Sequence, residues 1–234
     1  MRLPQALRAF SERSFASLPV GAVAIRLRQK GEMRQSPEQP WSPFEAEEII
    51  ALDKIAFVWI AQMPMMPGLK VHVVDAYDGA RGFLAARLAR AILLATATGP
   101  EIDKGEVRRY LAELPWAPGA LSTNAQVSYQ QVSDNAVVVA ATLDQQRVSV
   151  VLEIDKLGHV TSASTNARPR TVGRRTVATP WRGYFLDWRM LNGFEIPAKG
   201  EVEWILKDGP FPCWRGEILA VEAIDRHAHA IPRC

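Results

Sequence analysis

Few residues in this sequence of 234 amino acids stand at spacings that would support metal or acid–base chemistry. His227 and His229 form an H-x-H pair near the carboxyl terminus and could hold a metal ion. Protein zinc sites use three or four ligands, however, and two histidines alone seldom suffice. His72 and Asp75 could act as a base and its orienting acid, but their spacing puts them on opposite faces of a strand. We therefore predict no metal, no cofactor and no assigned catalytic residue.

The common catalytic signatures are missing from the sequence. It contains no G-x-S-x-G, G-x-G-x-x-G, Walker A, H-E-x-x-H or C-x-x-C motif. Cys213 and Cys234 match neither a disulfide framework nor a zinc site, so we expect two free thiols, with Cys213 acting as a small buried hydrophobe. Whether the protein is an enzyme stays open, and these absences favour a non-enzymatic role.

The composition is that of an ordinary globular protein. Hydrophobic residues make up 48% and charged residues 23%, which excludes disordered, collagen-like and disulfide-scaffold chains. The net charge of +3 is too small to indicate nucleic acid binding. One basic cluster stands out, and it contains Arg168, Arg170, Arg174 and Arg175. It could bind phosphate, but a solvated hairpin loop is favoured because no aromatic residue lies within it.

Nothing in the sequence predicts export or membrane insertion. Residues 1–15 lack the apolar region of a signal peptide, and no window approaches the ~20 apolar residues of a transmembrane helix. We expect a cytoplasmic protein.

The amino-terminal half mixes helix and strand patterns. Apolar spacing predicts an amphipathic helix over 3–16, and alternation predicts a strand over 20–33. A proline-rich loop and a short acidic helical turn at Glu45–Ile50 follow, and then strands over 57–63 and 70–77 flank the segment Pro64–Gly68. The stretch Gly82–Ala97 fits either a helix or a returning strand.

A second helix is predicted to begin at Asp103. Asp103 and Glu106 fit a variant of the capping box, and Pro115 ends the apolar stripe that follows. Beyond it, seven strand-like segments lie close together: 126–132, 136–143, 147–154, 158–165, 176–188, 194–206 and 213–224. Such short connections require antiparallel pairing. We predict one α+β domain over 1–234, with a helix within 1–18 and a loose tail at 226–234.

Two turns predict the register of the last strands. A two-residue turn at Asn192-Gly193 pairs Trp181 with Trp204 and Arg182 with Glu203. A turn near Gly209 then pairs Trp204 with Trp214 and Glu203 with Arg215. The tryptophan row could form the floor of a ligand cavity, or it could be part of a filled aromatic core. The row Arg182–Glu203–Arg215 could be an anion or catalytic site, although a solvated salt-bridge ladder is favoured.

Several sequence runs resemble an uncharacterised bacterial protein family. They are Thr179–Phe185, Asn192–Pro197, Glu201–Trp204, Asp208–Pro210, Cys213–Ile218 and Gly105–Glu113, with Trp116 and Pro118. The resemblance extends from about residue 20 to 225. The strand–N-G–strand signature is more distantly similar to the LolA/LolB-like lipoprotein-carrier superfamily. That resemblance implies a large curved antiparallel sheet, an open half-barrel, covered on one face by a few helices that enclose an apolar cavity.

The resemblance favours binding of a hydrophobic or lipid-like ligand between the sheet and the two predicted helices. The candidate wall residues are Trp59, Trp116, Trp181, Trp204 and Trp214. Met63, Met65 and Met66 are expected at the mouth, although a buried loop would explain these methionines equally well. A hydrolase that uses the Arg182–Glu203–Arg215 row is one alternative. A structural module that binds another protein is the other.

Overall fold

The described residues, 3–15, 18–173 and 175–225 of a computed structural model, contain one antiparallel sheet of thirteen strands. The strands are β1 (Ala22–Met33), β2 (Ser42–Ala51), β3 (Phe57–Met66), β4 (Leu69–Tyr77), β5 (Gly82–Leu88), β6 (Ile92–Thr98), β7 (Ser128–Ser133), β8 (Ala136–Leu143), β9 (Gln146–Ile154), β10 (Val160–Val172), β11 (Arg175–Leu191), β12 (Phe194–Leu206) and β13 (Gly209–Asp225). The helices are α1 (Gln5–Phe15), α2 (Pro100–Ala112) and α3 (Ala120–Thr123), with a 3-10 turn at Leu114–Trp116.

The sheet consists of two meanders joined at β1 and β13. Its strand order is β6-β5-β4-β3-β2-β1-β13-β12-β11-β10-β9-β8-β7. Gly31 faces Gly216 across β1 and β13, and Gly216 faces Gly200 across β13 and β12. A Cβ on Gly31 would lie 2.8 Å from Cα of Gly216 and would overlap the Arg215 carbonyl oxygen. Side chains are excluded from this close approach, and the sheet curls into the half-barrel that the resemblance to the carrier superfamily implied.

The helices fill part of the concave face. Leu7 and Phe10 of α1 and Tyr110 and Leu111 of α2 are fully buried in the main core. The Tyr110 hydroxyl donates to the carbonyl oxygen of Ala51 at 2.8 Å, which ties α2 to the sheet. The predicted stripe on α2 is therefore confirmed.

Two segments form strands although the sequence did not predict them as such. One was predicted to be a helical turn, and the other was left open between helix and strand. The predicted acidic turn at Glu45–Ile50 is wrong, because these residues form most of β2. Glu48 is buried there. A charged residue at a buried position interrupts the alternation of apolar and polar residues by which a strand is recognised in a sequence. Gly82–Ala97 contains β5 and β6, joined by a turn in which Ala89 and Arg90 have positive φ. No glycine marks that turn in the sequence.

Two boundaries also differ from prediction. β3 continues to Met66, so Pro64–Gly68 is mostly strand and not loop. Helix α2 begins at Pro100, and the predicted capping box at Asp103 is wrong. The Asp103 carboxylate instead accepts a hydrogen bond from the backbone N–H of Gly82 at 2.5 Å, which links α2 to β5. Arg174, the histidine pair at 227 and 229, Cys234 and the tail from 226 lie outside the described residues.

Candidate functional site

A cavity of about 410 Å³ lies on the concave face of the sheet, beside α2 and the 3-10 turn. All five predicted tryptophans contribute to its wall, and Met63 joins them. Its apolar lining consists of Met33, Trp59, Met63, Val73, Leu84, Ala86, Ala95, Ala112, Trp116, Trp181, Phe185, Val202, Trp204 and Trp214. With Arg168 also at its border, the cavity extends from β6 across the curled sheet to β10.

Two tryptophans are placed by a repeated tripeptide. Trp181-Arg-Gly183 and Trp214-Arg-Gly216 each put a glycine two residues after a tryptophan, on the same face of a strand. A Cβ on Gly216 would lie 2.5 Å from Cη2 of Trp214, and one on Gly183 would lie 3.1 Å from Cη2 of Trp181. The missing side chains let both indoles rest against the strand backbone. The indoles therefore form a floor and leave space above them.

Trp116 reaches the cavity from the 3-10 turn. Its Nε1 donates to the carbonyl oxygen of Pro197 at 2.8 Å. Its ring meets Phe185 edge-on at 5.3 Å between centroids and lies 6.2 Å from the Trp214 ring. A Cβ on Gly200 would approach Cζ2 of Trp116 to 3.0 Å. This indole is fixed between the turn and the sheet, so it forms a rigid part of the wall.

Two predicted features do not belong to this cavity. Met65 and Met66 are each 58% exposed and line a separate surface depression at the end of the β3–β4 hairpin. Helix α1, expected to help enclose the ligand, contributes no residue to the cavity lining among the described residues. Its Phe10 packs edge-on against Trp188 at 5.2 Å instead. The cavity is covered by α2 and the 3-10 turn.

The predicted register holds at the first turn and fails at the second. Trp181 faces Trp204 and Arg182 faces Glu203, as the Asn192-Gly193 turn predicts. Trp204 faces Phe211, however, and Trp214 faces Val202. The two-residue turn is Lys207-Asp208 and not a turn centred near Gly209, so Trp204 faces a residue three positions earlier on β13 than predicted. Cys213 is the extra residue of a β-bulge, which reduces this offset to two positions for the pairs beyond it. Trp204 and Trp214 still meet the same cavity without being paired.

The predicted polar row is not formed. Arg215 faces Glu201 and binds Glu32, with its Nε 2.9 Å from Oε2. Glu203 accepts a hydrogen bond from the Tyr184 hydroxyl at 2.8 Å. The Arg182–Glu203–Arg215 row therefore offers no common site, because the turn after Leu206 places Pro212 opposite Glu203 and Arg215 opposite Glu201.

A buried charge cluster forms the polar wall of the cavity. The Arg109 guanidinium binds three carboxylates: Glu48 at 2.8 Å, Asp75 at 2.6 Å and Glu113 at 2.8 Å. Glu48 also accepts from Gln29 Nε2 at 2.6 Å. These bonds join α2 to β1, β2 and β4 across the concave face.

The cluster extends to one cavity tryptophan. The Oε1 atom of Gln29 accepts a hydrogen bond from Nε1 of Trp59 at 2.9 Å. The Arg109 guanidinium also lies 4.7 Å from the ring centroid of Phe57 and 5.4 Å from that of Trp59. Apolar and polar walls are thus held together, and the buried N–H of the Trp59 indole is satisfied.

The carboxylates outnumber the guanidinium that binds them, and the pKa values of two buried glutamates are raised. Burial, with repulsion from Glu113, raises the pKa of Glu48 well above its ordinary value, against the attraction of Arg109. Burial also raises the pKa of nearby Glu106 to about 8, assisted by Asp75 and opposed by Arg168 and Arg109. Burial alone would lower the pKa of Arg109, but these carboxylates raise it well above its ordinary value. Protonation of some of these acids limits the net charge of the cluster.

Sequence reasoning missed this cluster. Asp75 was considered only with His72, and the structure separates them: Asp75 lines the cavity, whereas His72 lines the hairpin depression. The available signal was Glu48 directly before the apolar run 49–52 and Arg109 beside the apolar stripe of α2. Among the described residues, no group of three or more His, Cys, Asp or Glu side chains is arranged to hold a metal ion. In the same part of the chain, no helix is long and apolar enough to cross a membrane.

Comparison with known proteins gives a family match and several similar folds. A family model described as "Family of unknown function (DUF6920)" matches residues 1–222. No curated protein shows significant similarity to the chain. A LolA superfamily protein from Nitrosomonas europaea is 11% identical with a TM-score of 0.48, and the alignment covers 96% of this chain and 95% of that one.

Two further solved structures are similar over nearly the whole chain. A protein described as an outer membrane lipoprotein-sorting domain, from Vibrio parahaemolyticus, is 8% identical with a TM-score of 0.49, and the alignment covers 94% of both chains. A DUF1329 family protein from Desulfovibrio piger is 10% identical with a TM-score of 0.48, again over 94% of both chains.

Proposed function

Because this chain belongs to the DUF6920 family of unknown function, we propose its role from its own cavity: it binds a hydrophobic or lipid-like molecule without converting it. The family match confirms the resemblance that the sequence runs indicated. The single observation that carries the proposal is the space of about 410 Å³ that remains between the five tryptophans.

A filled aromatic core would leave no such space. Protein interiors are packed with few voids larger than a water molecule, so a partly open space of this size, lined by five tryptophans, is a pocket and not filled core. Ligand pockets of folded proteins begin at ~300 Å³ and are lined mostly by apolar and aromatic side chains with a few polar groups. The Trp59–Gln29–Glu48 chain of hydrogen bonds supplies such polar groups. The cavity has the size and lining of a ligand site.

Apolar burial would provide the affinity. At ~25 cal/mol per Å², a ligand that loses about 200 Å² of apolar surface gains ~5 kcal/mol before association costs are subtracted. The glycines beneath Trp181 and Trp214 and the bond from Trp116 to Pro197 hold three indoles in place. A wall that is already ordered loses little side-chain entropy when a ligand arrives.

The proposal is tested by what the purified protein carries. We expect extraction with organic solvent, followed by mass spectrometry, to release a fatty acid, phospholipid or similar amphiphile in near-stoichiometric amount. Adding dodecanoate to the extracted, refolded protein should quench tryptophan emission. Clean extracts together with unchanged emission across the titration would contradict the proposal.

A further inference from the structure

Two arginines of β10 lie against tryptophans of the cavity wall. The Arg168 guanidinium carbon is 4.7 Å from the ring centroid of Trp181, and that of Arg170 is 5.7 Å from the ring centroid of Trp204. Arg168 itself lines the cavity. These are two of the arginines in the basic cluster that the sequence suggested was a solvated loop. The aromatic partners, absent from the cluster in sequence, come from the neighbouring strands.

Two further arginines come close to this pair. Arg34 follows β1, and its guanidinium carbon lies 5.3 Å from the ring centroid of Phe211. Its backbone N–H donates to the carbonyl oxygen of Cys213 at 2.9 Å, so the bulge at the cavity wall fixes its position. The positive charges of Arg34, Arg168 and Arg170 each lower the pKa of the Cys213 thiol, against the effect of its burial. The charge of Arg168 likewise lowers the pKa of Arg108 on α2, so these side chains lie close together.

None of these arginines forms an ion pair with a carboxylate within the described part of the chain, although Glu106 interacts with the charge of Arg168 and Glu101 with that of Arg108. Arg168 and Arg170 form no ion pair or hydrogen bond there, and Arg34 donates only to the carbonyl oxygens of Pro212 and Pro37, at 2.9 and 3.4 Å. Arg108 donates to the carbonyl oxygen of Lys104, and its buried Nε has no partner. Arg109, one residue further along α2, binds three carboxylates by contrast.

This arrangement is unfavourable unless an anion balances it. Like charges held together repel, and the repulsion grows when the site is partly shielded from water. The guanidinium group is the side chain best suited to bind a carboxylate or phosphate, through paired N–H donors. Stacking on an indole orients such a group while leaving its N–H edge free. The four arginines form a cation cluster whose positive charge an anionic ligand group would balance.

We infer that the molecule bound in the cavity is an amphiphile with an anionic end group, a carboxylate or phosphate, which Arg168 binds beside Arg34, Arg108 and Arg170. This inference rests on the proposed function, because the tail of the same molecule occupies the tryptophan cavity. The buried acids on the other wall do not favour a cationic end group, since Glu48, Asp75 and Glu113 are already bonded to Arg109. The ligand is therefore bound in one orientation, with its tail among the tryptophans and its anionic end at Arg168.

The test compares ligands of one chain length and different end groups. Dodecanoate, dodecanol and dodecylamine are titrated by tryptophan emission, below their micelle concentrations, against the wild type and three variants. Arg168→Gln removes the charge and Arg168→Lys retains it. Arg147→Gln removes an exposed arginine of β9 that donates to Gln130 at 3.5 Å. Circular dichroism confirms that each variant is folded.

We expect wild-type protein to bind dodecanoate about tenfold more tightly than dodecanol, the effect of one charge-assisted hydrogen bond. Arg168→Gln should remove that preference and leave dodecanol affinity within about twofold. Arg168→Lys should keep most of the preference, and Arg147→Gln should keep all of it. Equal wild-type affinity for acid and alcohol, or tighter binding of the amine, would overturn the inference while the proposed function stands. Failure of every amphiphile to bind would overturn both.

A second arm separates a lipid end group from a free anion. Dodecyl phosphate and inorganic phosphate are each tested as competitors of dodecanoate. We expect dodecyl phosphate to compete at concentrations similar to those of dodecanoate, and inorganic phosphate to compete only weakly. Competition by inorganic phosphate as strong as that by dodecyl phosphate would contradict the amphiphile and would identify a free anion as the ligand of these arginines.

Discussion

Trp214 packs against Gly216, two residues further along β13, so closely that a Cβ on Gly216 would lie 2.5 Å from Cη2 and 2.6 Å from Cζ2 of the indole. This contact holds the ring against the strand and keeps the space above it open. The cavity therefore depends on a missing side chain as much as on the tryptophans that surround it.

Gly216→Ala should consequently move Trp214 into the cavity. We expect a loss of unfolding free energy of ~1–3 kcal/mol, as is typical of overpacking, together with weaker dodecanoate binding. Urea unfolding and the emission titration measure the two effects. Leu219→Ala, at a 44% exposed position of the same strand, serves as the control and should change stability by less than ~0.5 kcal/mol. Unchanged stability and affinity in Gly216→Ala would show that Trp214 does not need this contact.

Arg109 should be among the most sensitive positions of the fold. Arg109→Met leaves Glu48, Asp75 and Glu113 without their shared cation, and breaking a buried ion pair in this way costs ~3–5 kcal/mol. Arg26→Met is the matched control, because Arg26 is 40% exposed and its ion pairs to Glu47 and Glu222 are long, at 3.5 and 3.6 Å. We expect it to cost no more than ~1 kcal/mol. Urea unfolding at pH 7 compares them, and equal losses would contradict the buried network.

The stability of the protein should fall as the pH rises from about 5 to 8. The pKa of Glu106 is raised from 4.5 to about 8, so in this range the folded protein keeps a proton that the unfolded chain releases. Each pH unit in that window costs up to ~1.4 kcal/mol. Glu106→Gln should reduce the slope of unfolding free energy against pH, although Glu48 retains part of it. The exposed Glu12→Gln should leave the slope unchanged. A wild-type slope of zero or of opposite sign would contradict the assignment.

Cys213 should react slowly with thiol reagents although it borders the cavity. Burial raises the pKa of its thiol to about 11, against the nearby charges of Arg168, Arg170 and Arg34. Little thiolate exists at pH 8, so alkylation should be more than tenfold slower than that of free cysteine, whose pKa is ~8.5. The rate is measured by mass spectrometry in a Cys234→Ser background. Dodecanoate should slow it further, whereas an unchanged rate with saturating ligand would place the ligand elsewhere.

Most strands, and the tryptophans that line the cavity, could be predicted from the sequence. The Asn192-Gly193 turn alone paired Trp181 with Trp204 correctly, because a two-residue turn leaves one register. The second turn misled because Gly209 and Pro210 look like turn residues but begin β13, whereas the turn itself is Lys207-Asp208. Local turn chemistry predicts register only where the turn residues themselves are located correctly.

The polar residues of the site could not be predicted from local sequence patterns. Glu48 made β2 look like an acidic turn, since its partner Arg109 lies 61 residues away on α2. Arg168 and Arg170 looked like a solvated loop because Trp181 and Trp204, the rings against which they lie, come from β11 and β12. Such contacts exist only after the sheet has curled. The repeated Trp-Arg-Gly tripeptide, at 181–183 and 214–216, is the local sequence signal of the cavity floor.

The central claim is that the space between the tryptophans receives a ligand, and filling that space tests it most directly. Ala86→Trp places an indole on the cavity wall, whereas Ala80→Trp adds one in the exposed turn before β5 and serves as the control. If Ala86→Trp does not fold, Val73→Phe fills the same cavity. In calorimetric titrations with dodecanoate, we expect the filled variant to lose at least about tenfold in affinity and the control to match the wild type. Full affinity in a folded, filled variant would show that the ligand does not occupy this cavity.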